Sequence, residues 1–252
     1  ESNDIPYSLY GGTGIQGGSS IQQVGLYLSR GFEPVKIKFE AEFQSGNTGV
    51  VRDGEDVKAN GYGMVLDLDF PRPESKFAWN VKLGLVSGDN PETKNYEGFA
   101  LDRNFDVAML MFNHPMGKYD LFRTGVQRSP NRLTCTTSPC GTYATDEALD
   151  EEAISNVLFV APKVNYKFAE KWDWQNRFTW AQLQNKPLAG EDVSKDVGFE
   201  WDTAFIYKHT ENIQWVNEVG FLFPGAAWAG QSTQNYGKNF TYGITSKAAF
   251  SF

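Results

Sequence analysis

The alternation of apolar and polar residues at the C-terminal end of the chain constrains the fold most strongly. In an extended strand over residues 238–252, one face carries the apolar side chains Phe240, Tyr242, Ile244, Ala248, Phe250 and Phe252. The opposite face carries polar or small residues, including Thr241, Gly243, Thr245 and Lys247. A period of two predicts a β-strand with one apolar and one wet side, and the segment is long enough to cross a membrane as a tilted strand.

The same alternation recurs along the chain, which indicates a protein built from many similar strands. We predict further strands over residues 21–30, 35–44, 62–70, 77–85, 105–113, 119–128, 158–168, 172–180, 197–208 and 213–223. Residues 105–113 are apolar on both faces, so the alternation does not assign their register. Eleven strands are then countable after Ser19, and a short strand near Tyr7 would bring the number to about twelve, an even count.

The connections between the predicted strands alternate between short turns and long loops. Every short turn falls at the strand ends where the C-terminus lies, and the long loops fall at the opposite ends. This asymmetry is typical of outer-membrane barrels, which have tight periplasmic turns and longer extracellular loops. We therefore predict an all-β fold, a transmembrane antiparallel up-and-down β-barrel of about 12 strands that forms a single domain over residues 1–252 in the bacterial outer membrane.

Composition agrees with this prediction but leaves one alternative open. The mean hydropathy is -0.44, and no run of eighteen apolar residues is present, yet alternating strands hide a membrane barrel from any hydropathy window. Aromatic residues make up 15% of the chain and cluster near the turns and near the loop ends, as membrane-interface belts do. A soluble β-sandwich or lipocalin-like barrel alternates as well, but with its apolar face inside. The net charge of -8 argues against a nucleic-acid partner.

If the apolar faces contact lipid, the alternating charged residues line a water-filled lumen and form the candidate solute path. These residues are Lys36, Lys38, Glu40, Glu42, Asp67, Asp69, Lys82, Lys163, Lys167, Asp173, Arg177, Glu200, Asp202, Glu218 and Lys247, with Lys208 on the same side. In one interpretation opposite charges pair across neighbouring strands and simply fill the barrel. In the other, the basic residues form a ladder that guides anionic solutes.

The function favoured by this pattern is a channel for the passive passage of small polar or charged solutes through a mixed-charge lumen. The alternatives are a barrel whose lumen is plugged and which has a binding, structural or assembly role, and an outer-membrane hydrolase. We predict that the chain is not an enzyme, because a Ser-His hydrolase needs a histidine beside its nucleophile. The only histidines, His114 and His209, fall in predicted periplasmic turns, away from external lipid.

Loop residues carry two smaller predictions. Cys135 and Cys140 lie five positions apart in the longest loop, and we expect them to form a disulfide, since no histidine lies nearby to complete a zinc site. No cofactor is expected, although the acidic loop segments 88–92 and 146–152 have the oxygen-rich composition that binds Ca²⁺.

One hairpin also resembles a known family. The segment from Leu83 through Ser87-Gly88-Asp89 and Tyr96 to Asn113 is similar to the alginate-export family of outer-membrane porins, in which a strand ends in Ser-Gly-Asp before a loop with an aromatic residue. A C-terminal strand that ends in Phe likewise resembles the closing strand of outer-membrane barrels. These resemblances imply a barrel with a transport role, whose partners are outer-membrane lipid, lipopolysaccharide and small polar solutes.

Overall fold

The fold is a single antiparallel meander. The computed structural model describes residues 18–52, 55–71, 74–90, 92–102, 104–112, 153–186, 194–229 and 239–251. Within them lie nine strands, β1 (Ser20–Phe32), β2 (Val35–Arg52), β3 (Glu55–Phe70), β4 (Phe77–Val86), β5 (Val157–Ala169), β6 (Trp172–Leu183), β7 (Asp196–Thr210), β8 (Ile213–Pro224) and β9 (Thr241–Phe250). Each strand pairs with the next in chain order, so the all-β, up-and-down antiparallel prediction is confirmed. A short 3-10 helix, Ala226–Ala229, follows β8.

The pairing register places the charged residues on one face of the sheet. Lys38 of β2 lies opposite Asp67 of β3, and Asp67 lies opposite Lys82 of β4. Further along, Arg177 of β6 lies opposite Asp202 of β7. We call this side the polar face and the opposite side the aromatic face. The end of the sheet that holds the β1–β2, β3–β4, β5–β6 and β7–β8 connections is the turn end, and the other is the loop end.

One of the predicted strands, over residues 105–113, is not a strand in the described part of the chain. β4 pairs directly with β5, with Phe77 opposite Tyr166 and Val86 opposite Val157, so no hairpin lies between them. Residues 105–112 have no strand structure and are largely buried. A segment that is apolar on both sides is stabilised more by burial of both sides than by a position in the sheet, where one of its sides would face water. The predicted strands near Tyr7 and over 119–128 lie outside the described residues.

Residues 45–60, which the sequence assigns to a polar, glycine-rich loop between the predicted strands 35–44 and 62–70, are mostly strand. β2 continues to Arg52 and β3 begins at Glu55, so these strands form one long hairpin. The ladder shifts register between Asn47 and Val51, and the positive φ of 76° at Gly49 lies within that irregularity. Polar and glycine-rich composition suggested a loop, but backbone pairing and the 2.6 Å hydrogen bond from Thr48 Oγ1 to the Val57 carbonyl hold it as strand.

A segment that crosses the polar face forms the apolar core. We call residues 96–102 and 104–112 the strap. Every side chain from Val107 to Phe112 is at most 7% exposed. These side chains pack against the loop-end part of the polar face, on the wall residues Val86, Val157, Phe159, Ala161, Ala181, Leu183, Val197 and Leu222. The polar face is therefore dry at the loop end and wet at the turn end.

Wall glycines make room for the strap along its course. A β-carbon on Gly63 of β3 would lie 2.7 Å from the Phe99 ring, and one on Gly243 of β9 would lie 2.7 Å from Leu110 Cδ2. On β8, a β-carbon on Gly220 would lie 3.0 Å from Met109 Sδ. The strap thus reaches from β3 to β9.

The described sheet has two open edges. β1 and β9 each pair on one side only, and no ladder joins them within the described ranges. Apolar side chains on these strands are strongly exposed, with Val24 at 67% and Ile244 at 72%. No helix in the described ranges is long and apolar enough to cross a lipid bilayer.

Candidate functional site

The wet, turn-end half of the polar face and the strap above it together form the candidate site. All the charged residues that the sequence predicted for a solute path lie on strands β2 to β9, on this one face. They do not form one continuous group. The structure sorts them into paired clusters, residues that hold the strap, and charges without an ion-pair partner.

A first cluster joins β2, β3 and β4. The Lys38 ammonium group lies 2.8 Å from Asp69 Oδ2 and 3.6 Å from Asp67 Oδ2. The amide nitrogen of Asn80 donates to both carboxylates, at 2.5 Å to Asp67 Oδ1 and 2.6 Å to Asp69 Oδ1. Because each carboxylate is held from two sides, this cluster braces the wall and leaves little free charge for a solute.

A second cluster centres on Arg177 of β6, whose side chain is 11% exposed. Its guanidinium group contacts three carboxylates: Asp202 of β7 at 3.2 Å, Glu218 of β8 at 3.3 Å and Asp106 of the strap at 3.2 Å. A planar guanidinium with five donors suits such branched contacts better than an ammonium group would. Arg177 therefore ties three strands to the strap.

Two buried acids on β7 bind the strap backbone directly. Glu200 is 0% exposed, and its Oε1 and Oε2 accept hydrogen bonds of 2.6 Å from the N–H groups of Leu110 and Met111, respectively. Asp202 Oδ2 accepts a 3.1 Å bond from the Met109 N–H, while Asp202 Oδ1 has no hydrogen-bond partner among the described residues. Both acids lie on the predicted face, but they are buried under the strap instead of lining open water.

Residues on the neighbouring strands β4 and β6 also bind the strap. Thr179 Oγ1 of β6 donates a 2.6 Å hydrogen bond to the Val107 carbonyl, and both residues are fully buried. Lys82 of β4 donates to the Asp106 carbonyl at 3.3 Å, and its ammonium group lies 5.2 Å from the centre of the Phe105 ring. Lys82 of the wall thus contacts the strap through a hydrogen bond and a cation–π interaction.

Several predicted charges remain without an ion pair. In the described part of the chain, no carboxylate lies within 4.0 Å of the ammonium groups of Lys36, Lys163, Lys167 or Lys247, and Glu40 and Glu42 likewise have no cationic partner. Lys36 and Lys163 border a cleft of about 310 Å³, together with Asp69, Asn80 and Asn165. Lys163 is half-buried in the wall, so its ammonium group is the best-placed free cation of this cleft.

One further ion pair lies at the turn end. Lys208 of β7 hydrogen bonds to Asp173 of β6, which lies on the same face. Asp173 is itself mostly buried, with 13% of its side chain exposed. Pairing of opposite charges across strands therefore accounts for half of the predicted lumen residues, namely Lys38, Asp67, Asp69, Asp173, Arg177, Asp202, Lys208 and Glu218, which is the arrangement of the first of the two interpretations.

A group of polar side chains at the loop end joins the residues that follow β4 and β6 to those that precede β5. Asn156, which has a positive φ of 52°, donates to the Asn185 carbonyl at 3.0 Å, and its Oδ1 accepts a 2.8 Å bond from the Asn185 N–H. A β-carbon on Gly88 would lie 1.8 Å from Asn156 Oδ1, so only glycine fits there. Gln184 joins this group by accepting from the Gly88 N–H at 3.1 Å and donating to Tyr62.

The aromatic face carries ring clusters at both ends. Near the turn end, the Phe77 and Tyr166 rings lie 4.6 Å apart and the Trp172 and Tyr207 rings 4.8 Å apart. Near the loop end, the corresponding pairs are Trp201 with Phe221 at 5.3 Å and Phe223 with Phe240 at 5.2 Å. Large side chains of this face are well exposed, including Trp79 at 48%, Trp215 at 53% and Phe250 at 62%.

Other sequence predictions fall away from this site or outside the described residues. His209 lies exposed at the turn end on the aromatic face, where its Nδ1 is 3.3 Å from the Tyr207 hydroxyl. His114, Cys135, Cys140 and the acidic segment 146–152 lie outside the described residues, so the disulfide stays a prediction. Asp89 of the other acidic segment is 3% exposed and accepts a hydrogen bond from the Glu97 N–H. Among the described residues, no cluster of three or more potential ligands is placed to hold a metal ion.

The sequence reasoning missed Asn80, Asp106 and Thr179, which join charged wall residues to each other or to the strap. Asn80 and Thr179 alternate with apolar residues in predicted strands. The alternation therefore indicates that they lie on the polar face, but it does not indicate which residues they bind. A signal for the strap was present as well. The strand ends at Leu158–Val160 and Phe221–Phe223 are apolar on both faces, which indicates that the polar face is covered there.

Of the comparisons with known proteins, only the one with solved structures finds similar proteins. No protein-family model and no curated protein sequence matches the chain. OccK11 (OpdR) of Pseudomonas aeruginosa is similar with a TM-score of 0.44 and 10% identity, covering 94% of this chain and 52% of that one. OmpT, an outer membrane protein of Vibrio cholerae, is similar with a TM-score of 0.42 and 11% identity, covering 92% of this chain and 56% of that one. The chain spans about half the length of each of these proteins.

Proposed function

We propose that the chain forms the wall of an outer-membrane channel through which small charged solutes pass, with the strap narrowing the passage. The observation that carries the proposal is the division of one sheet into two faces. Exposed aromatic and aliphatic side chains cover one face, and ion-paired and free charges cover the turn-end half of the other. Soluble monomers rarely expose an apolar surface of this extent, whereas lipid-facing barrel walls must.

The spacing of the aromatic clusters supports a membrane location. Trp215 and Phe223 on β8 are eight residues apart, which is about 27 Å along a strand. At a strand tilt of about 40° this becomes about 20 Å across the membrane, slightly less than the apolar band of about 25 Å that barrels present to lipid. Amphipathic rings at these levels suit the membrane interfaces.

The unpaired charges support charged solutes as the cargo. Among the described residues, Lys36, Lys163, Lys167 and Lys247 are cations of this face that have no ion pair once Lys38, Arg177 and Lys208 have bound wall carboxylates. Because Lys163 borders the cleft at the turn end, we expect small anions to pass beside β5. The acids without a cationic partner among the described residues, Glu40 and Glu42, lie on β2, three strands from Lys163 and Lys167 and on the same strand as Lys36.

A channel also requires that the sheet close. Unpaired backbone groups on a strand edge cost several kcal/mol each in hydrocarbon, so the edges of β1 and β9 need pairing partners in the membrane. Recording from planar bilayers tests the function. Discrete conductance steps are expected from the reconstituted chain, and their absence after insertion has been verified by protease protection would refute it.

A second candidate function is a plugged barrel with a binding or structural role. The strap favours it, because it crosses from β3 to β9 and packs as a dry core against the loop-end wall. The same recording separates the candidates, because an inserted and plugged barrel gives no conductance until the strap is displaced.

A further inference from the structure

The polar contacts between the strap and the wall include a group that converges on β7. Three successive N–H groups, those of Met109, Leu110 and Met111, donate to the carboxylates of Asp202 and Glu200. The strap side chains at this point pack into the dry core, with Met109 over Gly220 and Leu110 over Gly243. Apolar packing therefore buries the strap, and the directional hydrogen bonds to β7 set its register along the wall.

We infer that Glu200 is the residue that positions the strap and so sets the bore of the passage. This inference rests on the proposed channel function. Glu200 uses both carboxylate oxygens, one for each N–H group, at 2.6 Å. Only a carboxylate can accept two converging donors in this way, and hydrogen bonds to a charged acceptor in a dry site are the strong ones.

Asp202 differs from Glu200 in a way that provides a matched comparison. Its Oδ2 serves both the Met109 N–H and the Nε of Arg177, whereas its Oδ1 has no hydrogen-bond partner in the described structure. An asparagine at this position can keep its oxygen toward Met109 and place its amide nitrogen at the unused site. A glutamine at position 200 must turn an NH₂ group toward one of two N–H donors, which opposes donor to donor.

The first experiment compares E200Q with D202N by single-channel recording and by exclusion of polyethylene glycols of increasing size. Both variants replace one buried carboxyl group by its amide on the same face of the same strand. Loss of one to two charge-assisted hydrogen bonds shifts the ratio of docked to released strap by roughly tenfold or more in E200Q. We expect E200Q to show larger or more frequently fluctuating steps and to admit larger polymers, and D202N to change less.

A disulfide that replaces the lost contacts provides the rescue. A β-carbon built on Gly220 lies 3.2 Å from Met109 Cβ and 2.9 Å from Asp202 Oδ1, so the strap and the Asp202 carboxyl group must each shift by a few tenths of an ångström to reach the Cβ separation of about 3.8 Å that a disulfide requires. M109C and G220C are introduced together with E200Q in a background in which Cys135 and Cys140 are replaced by serine. The oxidised variant is expected to regain the small conductance, and reduction in the bilayer to release it again.

The outcomes separate this inference from the channel proposal. A wild-type chain that inserts but never conducts overturns the channel. A conducting wild type with E200Q indistinguishable from it, or with D202N affected more strongly than E200Q, overturns the role of Glu200. If E200Q fails to insert, the protein is folded with the engineered disulfide between strap and wall already formed, and that disulfide is then reduced in place; the absence of any change on reduction contradicts the inference.

Discussion

Substitution of Gly84 by alanine probes a crowded contact between neighbouring strands beneath the apolar core. Gly84 of β4 lies opposite Phe159 of β5, and a β-carbon there would lie 2.1 Å from two carbons of that ring. Ordinary carbon contacts are about 3.6 Å, so the ring would have to move by about 1.5 Å. It has no free space, because Phe105 and Phe112 lie against it with ring centres 6.2 Å away and Phe159 itself is 0% exposed.

The expected magnitude follows from these distances. Overpacking of this kind costs about 1–3 kcal/mol, and truncation of a buried phenylalanine in F159A costs about 3–5 kcal/mol. Simple addition would put the double variant at about 4–8 kcal/mol, but the new methyl group occupies part of the space that the ring vacates. We therefore expect G84A/F159A to be no less stable than F159A alone, which is a coupling of about 1–3 kcal/mol.

Urea unfolding of the lipid-reconstituted protein, followed by tryptophan fluorescence, measures these differences. G31A is the control, because a β-carbon on Gly31 meets nothing within 4 Å, and its stability should change by no more than about 0.5 kcal/mol. Additive effects of G84A and F159A, or a G84A variant as stable as G31A, would refute the packing of Phe159 over Gly84.

Two further predictions concern the strap and the free cation. T179V removes the hydroxyl that binds the buried Val107 carbonyl and should lower the free energy of unfolding by about 1–3 kcal/mol in the same assay. T245V, at a half-exposed position of β9, should lower it by less. Equal effects of the two variants would contradict the hydrogen bond between Thr179 and Val107. K163Q should lower the anion preference of the channel, measured as the reversal potential in a salt gradient, and K76Q at a turn should leave it nearly unchanged. An unaltered reversal potential in K163Q would remove the anion path beside β5.

The sheet could be predicted from the sequence because its pattern is local. Alternation alone places Lys38, Asp67 and Arg177 on one face and Trp79 and Trp215 on the other, and the structure agrees at each position. Which charges pair was not predictable, since pairing depends on the register between strands. That register brings Lys38 to Asp69 as well as to its direct neighbour Asp67.

The strap could not be predicted because its structure is decided by contacts far away in sequence. Its N–H groups find their acceptors on Glu200 and Asp202, at sequence separations of 89 to 93 positions. Seen alone, residues 107–112 have the composition of a buried strand. The hairpin at residues 45–60 shows the opposite case, in which backbone pairing holds a strand that composition assigns to a loop.

The direction of the outer strands limits how this wall can be completed. Eight antiparallel ladders separate β1 from β9, so these two strands run the same way. A seam made directly between them would be parallel, unlike every other ladder in the described sheet. An all-antiparallel circumference therefore needs an odd number of additional strands whose first and last members run opposite to β9 and β1. A second identical nine-strand sheet in the same orientation has an odd count, but its outer strands would run parallel to β9 and β1 at both seams.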